Sequence, residues 1–533
     1  MEQKTEQNEK ATKKQKIFWL IPLIIFIAFI SYMMIRTIPG EVKETIVDTP
    51  VSTAGFVTLS DSFEDVLEDD IYDKDYYINL NGLTTKVLGI NSLNERQKLE
   101  NGYLALFEEP QDTQRDSNYV IELNQFLNER DIPFLFILAP GKASFYDAQT
   151  APGYNNEAGS NIDNMINVLT DAGVPCLDMD AWFEENKWTI EDVFFKTDHH
   201  WLPQAGLQSA RLTMDYLSGL GEVQYDPETL KEENWTVITL PDWSLGSDGK
   251  RTGIAYAGVD DFPVYFPNYA TDYTYSYLQF HSKGWVYTDS PLNLSYMDYK
   301  DYFGSSVYDT YLYNNYPLQK ITNSDAKNAQ KVLIIGDSYR LPYMYFLSTQ
   351  FQEIYGIDVR NYTDGSAAQY IEELQPDIVL MCTAVSEVSD VRIYMFGVSS
   401  YLTALDETDM DTDIVRLGDY KLEAGEGDQD CLTRVEASLE RGQTYTLTVD
   451  STAYSGGEDQ YVQMTLQDLS TDEAVYNRYF DINSDEIQRW IFTVPEDTKD
   501  EYGIYFYAGT KEHTAGVTAE LQNVTLRKGI FEK

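Results

Sequence analysis

The sequence predicts an α/β protein: a parallel sheet with helices on both faces, followed by an all-β sandwich and preceded by one membrane-spanning helix. Three observations carry this. Two separated blocks alternate apolar strands with helical stretches, the C-terminal part is a run of short alternating strands, and residues 17–35 are 19 uncharged, mostly apolar residues. Apolar strands spaced by helices belong to a sheet covered on both faces.

The chain has 533 residues, enough for several domains. Asp plus Glu number 87 against 39 Lys plus Arg, a formal charge of −48. A body of that sign repels phosphate backbones, which excludes nucleic-acid binding. The three cysteines, Cys176, Cys382 and Cys431, form no C-x-x-C pair and allow one bridge at most. A zinc ribbon, an iron–sulfur cluster and a disulfide framework are thereby excluded. The 41 tyrosines and eight tryptophans suit an extracellular protein that handles sugars.

The apolar run IFWLIPLIIFIAFISYMMI is about as long as a bilayer-crossing helix requires. No A-x-A-like site follows it and no cysteine stands near, so residues 17–36 read as an uncleaved anchor. Lys10, Lys13, Lys14 and Lys16 precede it while only Arg36 and Lys43 follow closely. The positive-inside rule therefore puts residues 1–16 in the cytoplasm and the rest outside. Residues 37–75 read as a polar stem.

A domain at 76–404 follows. Its first block has a helix at 119–128, a strand at 133–138, a helix at 161–172 and a strand at 175–177. Its second has a strand at 331–335, a helix at 341–351, a strand at 354–359, a helix at 367–373 and a strand at 378–381. The Tyr-rich interval at about 220–325 lacks a helical period and reads as strands and loops inserted in the domain. The run LDETDMDTD at 405–413 reads as an acidic linker; it lacks the glycine and distant glutamate of an EF-hand loop. Strands at 444–449, 460–466, 489–493 and 503–508, divided by turn residues, make 414–533 a β-sandwich.

Two stretches carry chemistry. KTDHHW, 196–201, holds two of only four histidines; VLIIGDSY, 332–339, runs a buried strand into a Gly-Asp-Ser turn and a helix. A serine there stands at a strand's carboxyl end, where active sites of such sheets lie, on a helix N-terminus that can stabilise an oxyanion. Serine needs a base, and the base needs a carboxylate to fix its tautomer. Asp198 and His200 can supply both. Taken alone, Gly-Asp-Ser is also a helix-capping turn, and the histidine pair also a structural or metal-binding one. No third His, Cys or clustered carboxylate motif accompanies the pair, so no metal and no cofactor is expected.

The GDSY block around Ser338 resembles the nucleophile block of SGNH (GDSL-type) esterases and acyltransferases, and TDHHW resembles the signature of bacterial DHHW proteins, relatives of the alginate O-acetyltransferases. In common SGNH esterases Ser comes first; here Asp-x-His precedes Ser, as in the alginate group. The resemblance covers about 75–400, with weaker patches at 77–89 (YINLNGLTTKVLG), 139–142 (APGK), 246–253 (GSDGKRTG) and 358–362 (DVRNY).

It implies an SGNH-like, flavodoxin-like sheet and acyl transfer on the outer face of the membrane. Ser338 would take an acetyl group, His200 rather than His199 would act as base and then acid, and Asp198 would orient it. Arg360, with Tyr339 beside the serine, is a candidate for steadying the oxyanion or the acetyl donor, because no Gly-x-Asn block completes the oxyanion hole. The sandwich resembles a carbohydrate-binding module, with Tyr454, Tyr461, Tyr476 and Trp490 as candidate stacking rings; a docking surface for an envelope protein is the other reading. The function expected is polysaccharide O-acetylation, fed by a multi-spanning membrane O-acyltransferase. The alternatives are a deacetylating esterase with the same triad and a non-catalytic glycan-binding assembly protein.

Overall fold

The computed structural model describes residues 74–529 apart from 112, 146–154, 281–283, 363–364, 385–390, 400, 403–414, 424–430, 436–438, 456–459, 470–473, 481–486, 495–501 and 511–517. The segments expected to be a cytoplasmic tail (1–16), an anchor (17–36) and an acidic linker (405–413), with nearly all of the expected stem (37–75), lie outside the described residues. Among the described residues no helix is long and apolar enough to cross a membrane. They divide into two compact units, 74–90 with 250–256 and 91–249 with 257–529.

The smaller unit is built on helix α1 (Lys74–Val87), which begins where the sequence places the end of the stem. Gly82 lets the helix meet residue 252, since a Cβ there would stand 2.1 Å from the Thr252 carbonyl oxygen. The Ile254 N–H donates to Asn79 Oδ1 at 2.8 Å.

The larger unit holds the main sheet, whose strands in chain order are β1 (Phe134–Ala139), β2 (Cys176–Asp178), β3 (Tyr273–Leu278), β4 (Trp285–Thr288), β5 (Leu318–Asn323), β6 (Asn328–Gly336), β7 (Phe351–Ile357) and β8 (Ile378–Ala384). The eight strands lie in the order β2-β1-β8-β6-β7-β5-β3-β4. The first five are mutually parallel; β5, β3 and β4 are added antiparallel. The sheet is therefore mixed rather than wholly parallel, because the Tyr-rich interval supplies β3, β4 and β5 as antiparallel strands of it.

The central strands are buried throughout, and their period of two divides them between two cores. Phe134, Phe136, Leu138, Leu333, Ile335, Val379 and Met381 face helices α2 (Thr113–Asn128), α3 (Ala158–Asp171) and α6 (Ala367–Leu374). Leu135, Ile137, Val332, Ile334, Leu380 and Cys382 face α4 (Pro203–Leu220) and α5 (Arg340–Leu347). The sequence reading leaves α4 unassigned although Pro203 opens it and Gly221, at φ 84°, closes it. Its buried face mixes Leu207, Met214 and Leu217 with small and polar residues: Ser209 and Thr213 bond their hydroxyls to carbonyls one turn back, and Gly206 packs against Pro342 of α5. That mutes the apolar period.

The C-terminal part forms two sheets. One pairs Val415–Glu423, Thr518–Lys528, Thr444–Val449 and Gln488–Thr493, with Ser451–Ser455 beside Thr518–Lys528; the other pairs Cys431–Val435, Tyr502–Thr510, Gln460–Asp468 and Ala474–Phe480. Tyr454 and Trp490 belong to the apolar core of these sheets and are 7% and 1% exposed, so neither is open to stack on a sugar. The side chains of Tyr461 and Tyr476 lie outside the described residues. Ile491 turns away from that core: it packs with the α6 side of the main sheet, and its N–H donates to Glu373 Oε1 at 3.3 Å.

Candidate active site

Two segments meet at the carboxyl ends of β6 and β8. β6 ends in Gly336, where a Cβ would stand 1.9 Å from the Cys382 carbonyl oxygen, so the chain must carry glycine to turn there. The buried Asp337 accepts from the Tyr339 N–H at 2.8 Å, the Ala384 N–H at 2.7 Å and the Thr383 hydroxyl at 3.0 Å. It ties the turn to the end of β8 and leaves Ser338 partly exposed ahead of α5. Burial raises the Asp337 carboxyl, opposed by Arg360 and these hydrogen bonds.

The second segment is held from below by Asp260, whose carboxylate accepts from the Lys196 N–H at 2.7 Å, the Thr197 N–H at 2.8 Å and the Thr197 hydroxyl. The Gly246 N–H donates to Thr197 Oγ1 at 2.9 Å, and a Cβ on Gly246 would fall 2.2 Å from that of Asp198. This close approach lets the Ser247 N–H reach Asp198 Oδ2 at 3.2 Å. Trp201 then anchors the segment to the serine turn, its indole N–H donating to the Tyr339 carbonyl at 3.0 Å.

The result is a relay. His200 Nδ1 lies 2.7 Å from Asp198 Oδ1, and His200 Nε2 lies 2.7 Å from Ser338 Oγ. A carboxylate can only accept, so Nδ1 carries the proton and Nε2 is left to accept from the serine hydroxyl. Burial alone would raise the Asp198 carboxyl, but the charge and hydrogen bond of His200, then His199, hold it well below the usual carboxylate range. Asp198 therefore stays ionised beside the imidazole.

His199 does not reach the serine. Its Nδ1 lies 2.7 Å from Ser247 Oγ and 3.3 Å from Asp198 Oδ1. Desolvation, and then the neighbouring His200, push it down to about 4, which keeps it neutral near pH 7. Tyr339 is 2% exposed; its hydroxyl donates to the His199 carbonyl, so it braces the two segments instead of opening to substrate. Arg360 is drawn to Asp358, with Nε at 3.1 Å and Nη2 at 2.9 Å from the carboxylate oxygens. Asn315 and Asn361 donate to the same carboxylate. Ser338, His200 and Asp198 are thus brought together, whereas Tyr339 is tied to the His199 carbonyl and Arg360 to Asp358.

Residues that sequence reasoning missed surround these. Lys142 of APGK and Asp248 of GSDG form a buried ion pair at 3.2 Å, which Arg96 joins at 2.6 Å. Both lie in the weaker patches of the resemblance, and their pairing across the fold could not be read from the sequence. Arg340, fully buried, donates to the Tyr316 carbonyl at 3.1 Å and Gln319 Oε1 at 2.7 Å, fastening the Tyr-rich interval to α5.

Asp198, His199 and His200 also place one ligand atom each within 4.8 Å of one another, the spacing of a metal site. The donors fit a metal poorly: His200 has its Nδ1 on Asp198 and its Nε2 on Ser338, and Asp198 Oδ1 accepts the His200 N–H as well. A metal here would have to break the relay.

Residues 101–241 match the model of the family described as the SGNH hydrolase-like domain of acetyltransferase AlgX. No curated protein matches the chain. Among solved structures, Bacillus cereus PatB1 with a sulfonyl adduct is 18% identical at a TM-score of 0.48, covering 58% of this chain and 99% of its own. A DHHW family protein from Eubacterium siraeum is 20% identical at a TM-score of 0.43, covering 57% and 95%. Pseudomonas aeruginosa AlgX is 14% identical at a TM-score of 0.38, covering 82% and 95%. Residues 101–241, which contain Asp198 and His200, are thus similar to the SGNH hydrolase-like domain of acetyltransferase AlgX, while the GDSY turn with Ser338 lies outside the matched stretch.

Proposed function

We propose that the protein is an extracytoplasmic O-acetyltransferase that moves acetyl groups to a polysaccharide through an acyl-serine intermediate. The observation that carries this reading is the unbroken hydrogen-bonded line Asp198–His200–Ser338 at the carboxyl ends of the parallel strands. The acetyltransferase description of the family matched over 101–241 supports transfer over hydrolysis.

In the first half-reaction Ser338 Oγ attacks the acetyl carbonyl while its proton passes to His200 Nε2, and Asp198 stabilises the imidazolium. The carbonyl oxygen becomes an oxyanion. The Ser338 N–H, which has no acceptor among the described residues, is available to it, and Arg360 lends a positive field from its seat on Asp358. Collapse expels the donor's leaving oxygen, which takes the proton from His200. In the second half a sugar hydroxyl gives its proton to His200, attacks the acyl carbonyl and leaves acetylated, and Ser338 recovers its proton.

The anchor at 17–36 would hold the site outside the cell membrane, and a single helix cannot carry acetyl groups across, so a multi-spanning O-acyltransferase is the donor proposed. Incubating the purified protein with a chromogenic acetyl ester, with and without acceptor oligosaccharides, and weighing the sugars by mass spectrometry tests this. Acetylated sugar is the result expected. Ester turnover with unmodified sugar would instead make the protein an esterase with the same triad.

A further inference from the structure

Hydrogen bonds at Nδ1 and Nε2 set the heading of the His200 ring, and packing on its two faces limits how far it can swing. Two rings block that swing. His199 lies with its centroid 3.8 Å from that of His200, and Tyr308 stacks at 3.9 Å with 14° between the planes. His199 and Tyr308 make no ring contact with each other, so they occupy opposite faces of the imidazole. Tyr339 meets it at 5.3 Å and a 47° tilt. Among the described residues, the charged group bonded to the ring is Asp198, at Nδ1.

Tyr308 comes from the short turn Val307–Thr310 in the Tyr-rich interval, to which the sequence reading assigned no role. It is 3% exposed, and Phe195 meets it edge-on at 6.3 Å. Its hydroxyl has no hydrogen-bond partner. A buried unpaired hydroxyl costs stability, so what this position supplies to the site is the face of the ring.

We propose that Tyr308 is a positioning residue: its ring keeps the His200 imidazole in the plane where Nε2 meets the Ser338 hydroxyl, and its π face stabilises the imidazolium formed when the serine proton arrives. This rests on the reading of Ser338, His200 and Asp198 as a nucleophilic triad.

The test follows, in the full chain, the rate at which a sulfonyl fluoride labels Ser338, read by peptide mass spectrometry, alongside turnover of an acetyl ester. Tyr308→Leu is expected to slow both about ten-fold or more while KM moves by less than about two-fold, the signature of an impaired base. Tyr308→Phe, which keeps the face and sheds the unpaired hydroxyl, is expected to label at the wild-type rate and to melt no lower. Should the Leu variant not fold, Tyr308→Met, of comparable reach without a flat face, takes its place. Wild-type protein that is not labelled at Ser338 would sink the triad reading itself. Labelled wild type with a Leu or Met variant equally fast overturns the positioning role alone. A Phe variant as slow as Leu also overturns it, because the hydroxyl would then be the working group.

Discussion

His200 Nε2 lies 2.7 Å from Ser338 Oγ although 138 positions separate them in the chain. Ser338→Ala, His200→Ala and Asp198→Ala should each lower kcat on an acetyl ester by about 10³-fold or more, and double variants should lose little beyond the single ones, because the three act as a unit. His199→Ala, whose ring bonds Ser247 and not the serine, should be milder. A His199 variant more damaging than the His200 variant would assign the base wrongly here.

Since both ring nitrogens of His200 are committed to Asp198 and Ser338, a chelator should leave ester turnover unchanged. The purified protein should hold no stoichiometric zinc. Tight zinc with activity that follows it would move the protein to metal-assisted hydrolysis.

Lys142 and Asp248 are 4% and 2% exposed. Lys142→Ala removes one cation from the buried Asp248 carboxylate and should cost about 3–5 kcal/mol in denaturant unfolding. A loss below about 1 kcal/mol, the worth of a surface pair, would show that solvent reaches the cluster.

Asp180 is pushed up to about 8 by burial, although the Ser144 hydroxyl donates to it at 2.7 Å. Between about pH 4 and pH 8 the unfolded chain has released this proton and the native protein keeps it, so the stability contributed falls as pH rises. Asp180→Asn retains an acceptor for Ser144 and should flatten that slope, recovering on the order of 1–3 kcal/mol near pH 8 and little below pH 4. Parallel stability curves for the two proteins across this window would refute the shift.

Removing the chain beyond about residue 411 should leave turnover of a small acetyl ester intact, because Asp198, His200 and Ser338 all precede the cut. It should weaken use of long glycans, if the C-terminal sheets raise the acceptor's local concentration. The loss of Ile491 from its seat beside α6 should also lower the melting temperature by a few degrees. Equal activity on long and short acceptors with unchanged melting would leave docking of an envelope partner as the better account.

Strands β1, β6 and β8 were legible because each is a continuous apolar run between turn residues, and the serine turn because Gly-Asp-Ser follows such a run. Helix α4 was not, because its buried face is made of Gly206, Ser209 and Thr213 beside its apolar residues. Asp337 was overlooked as a support because its acceptors' partners, Thr383 and Ala384, stand on a strand nearly 50 positions away. Tyr308 is one of 41 tyrosines, and nothing local sets it apart.

Periodicity, turn chemistry and charge are written in neighbouring residues, so the sequence by itself determined the α/β and all-β parts, the acidic character and the two motifs that supply an acid, a base and a nucleophile. Register and proximity are not written there. That the Tyr-rich interval adds three antiparallel strands to the sheet, that Arg360 is held by Asp358 and Tyr339 by His199, and that a tyrosine from that interval covers the face of His200 are consequences of long-range packing. Only the folded chain decides them, because each depends on which distant backbone satisfies a buried donor and which ring fills the space beside it.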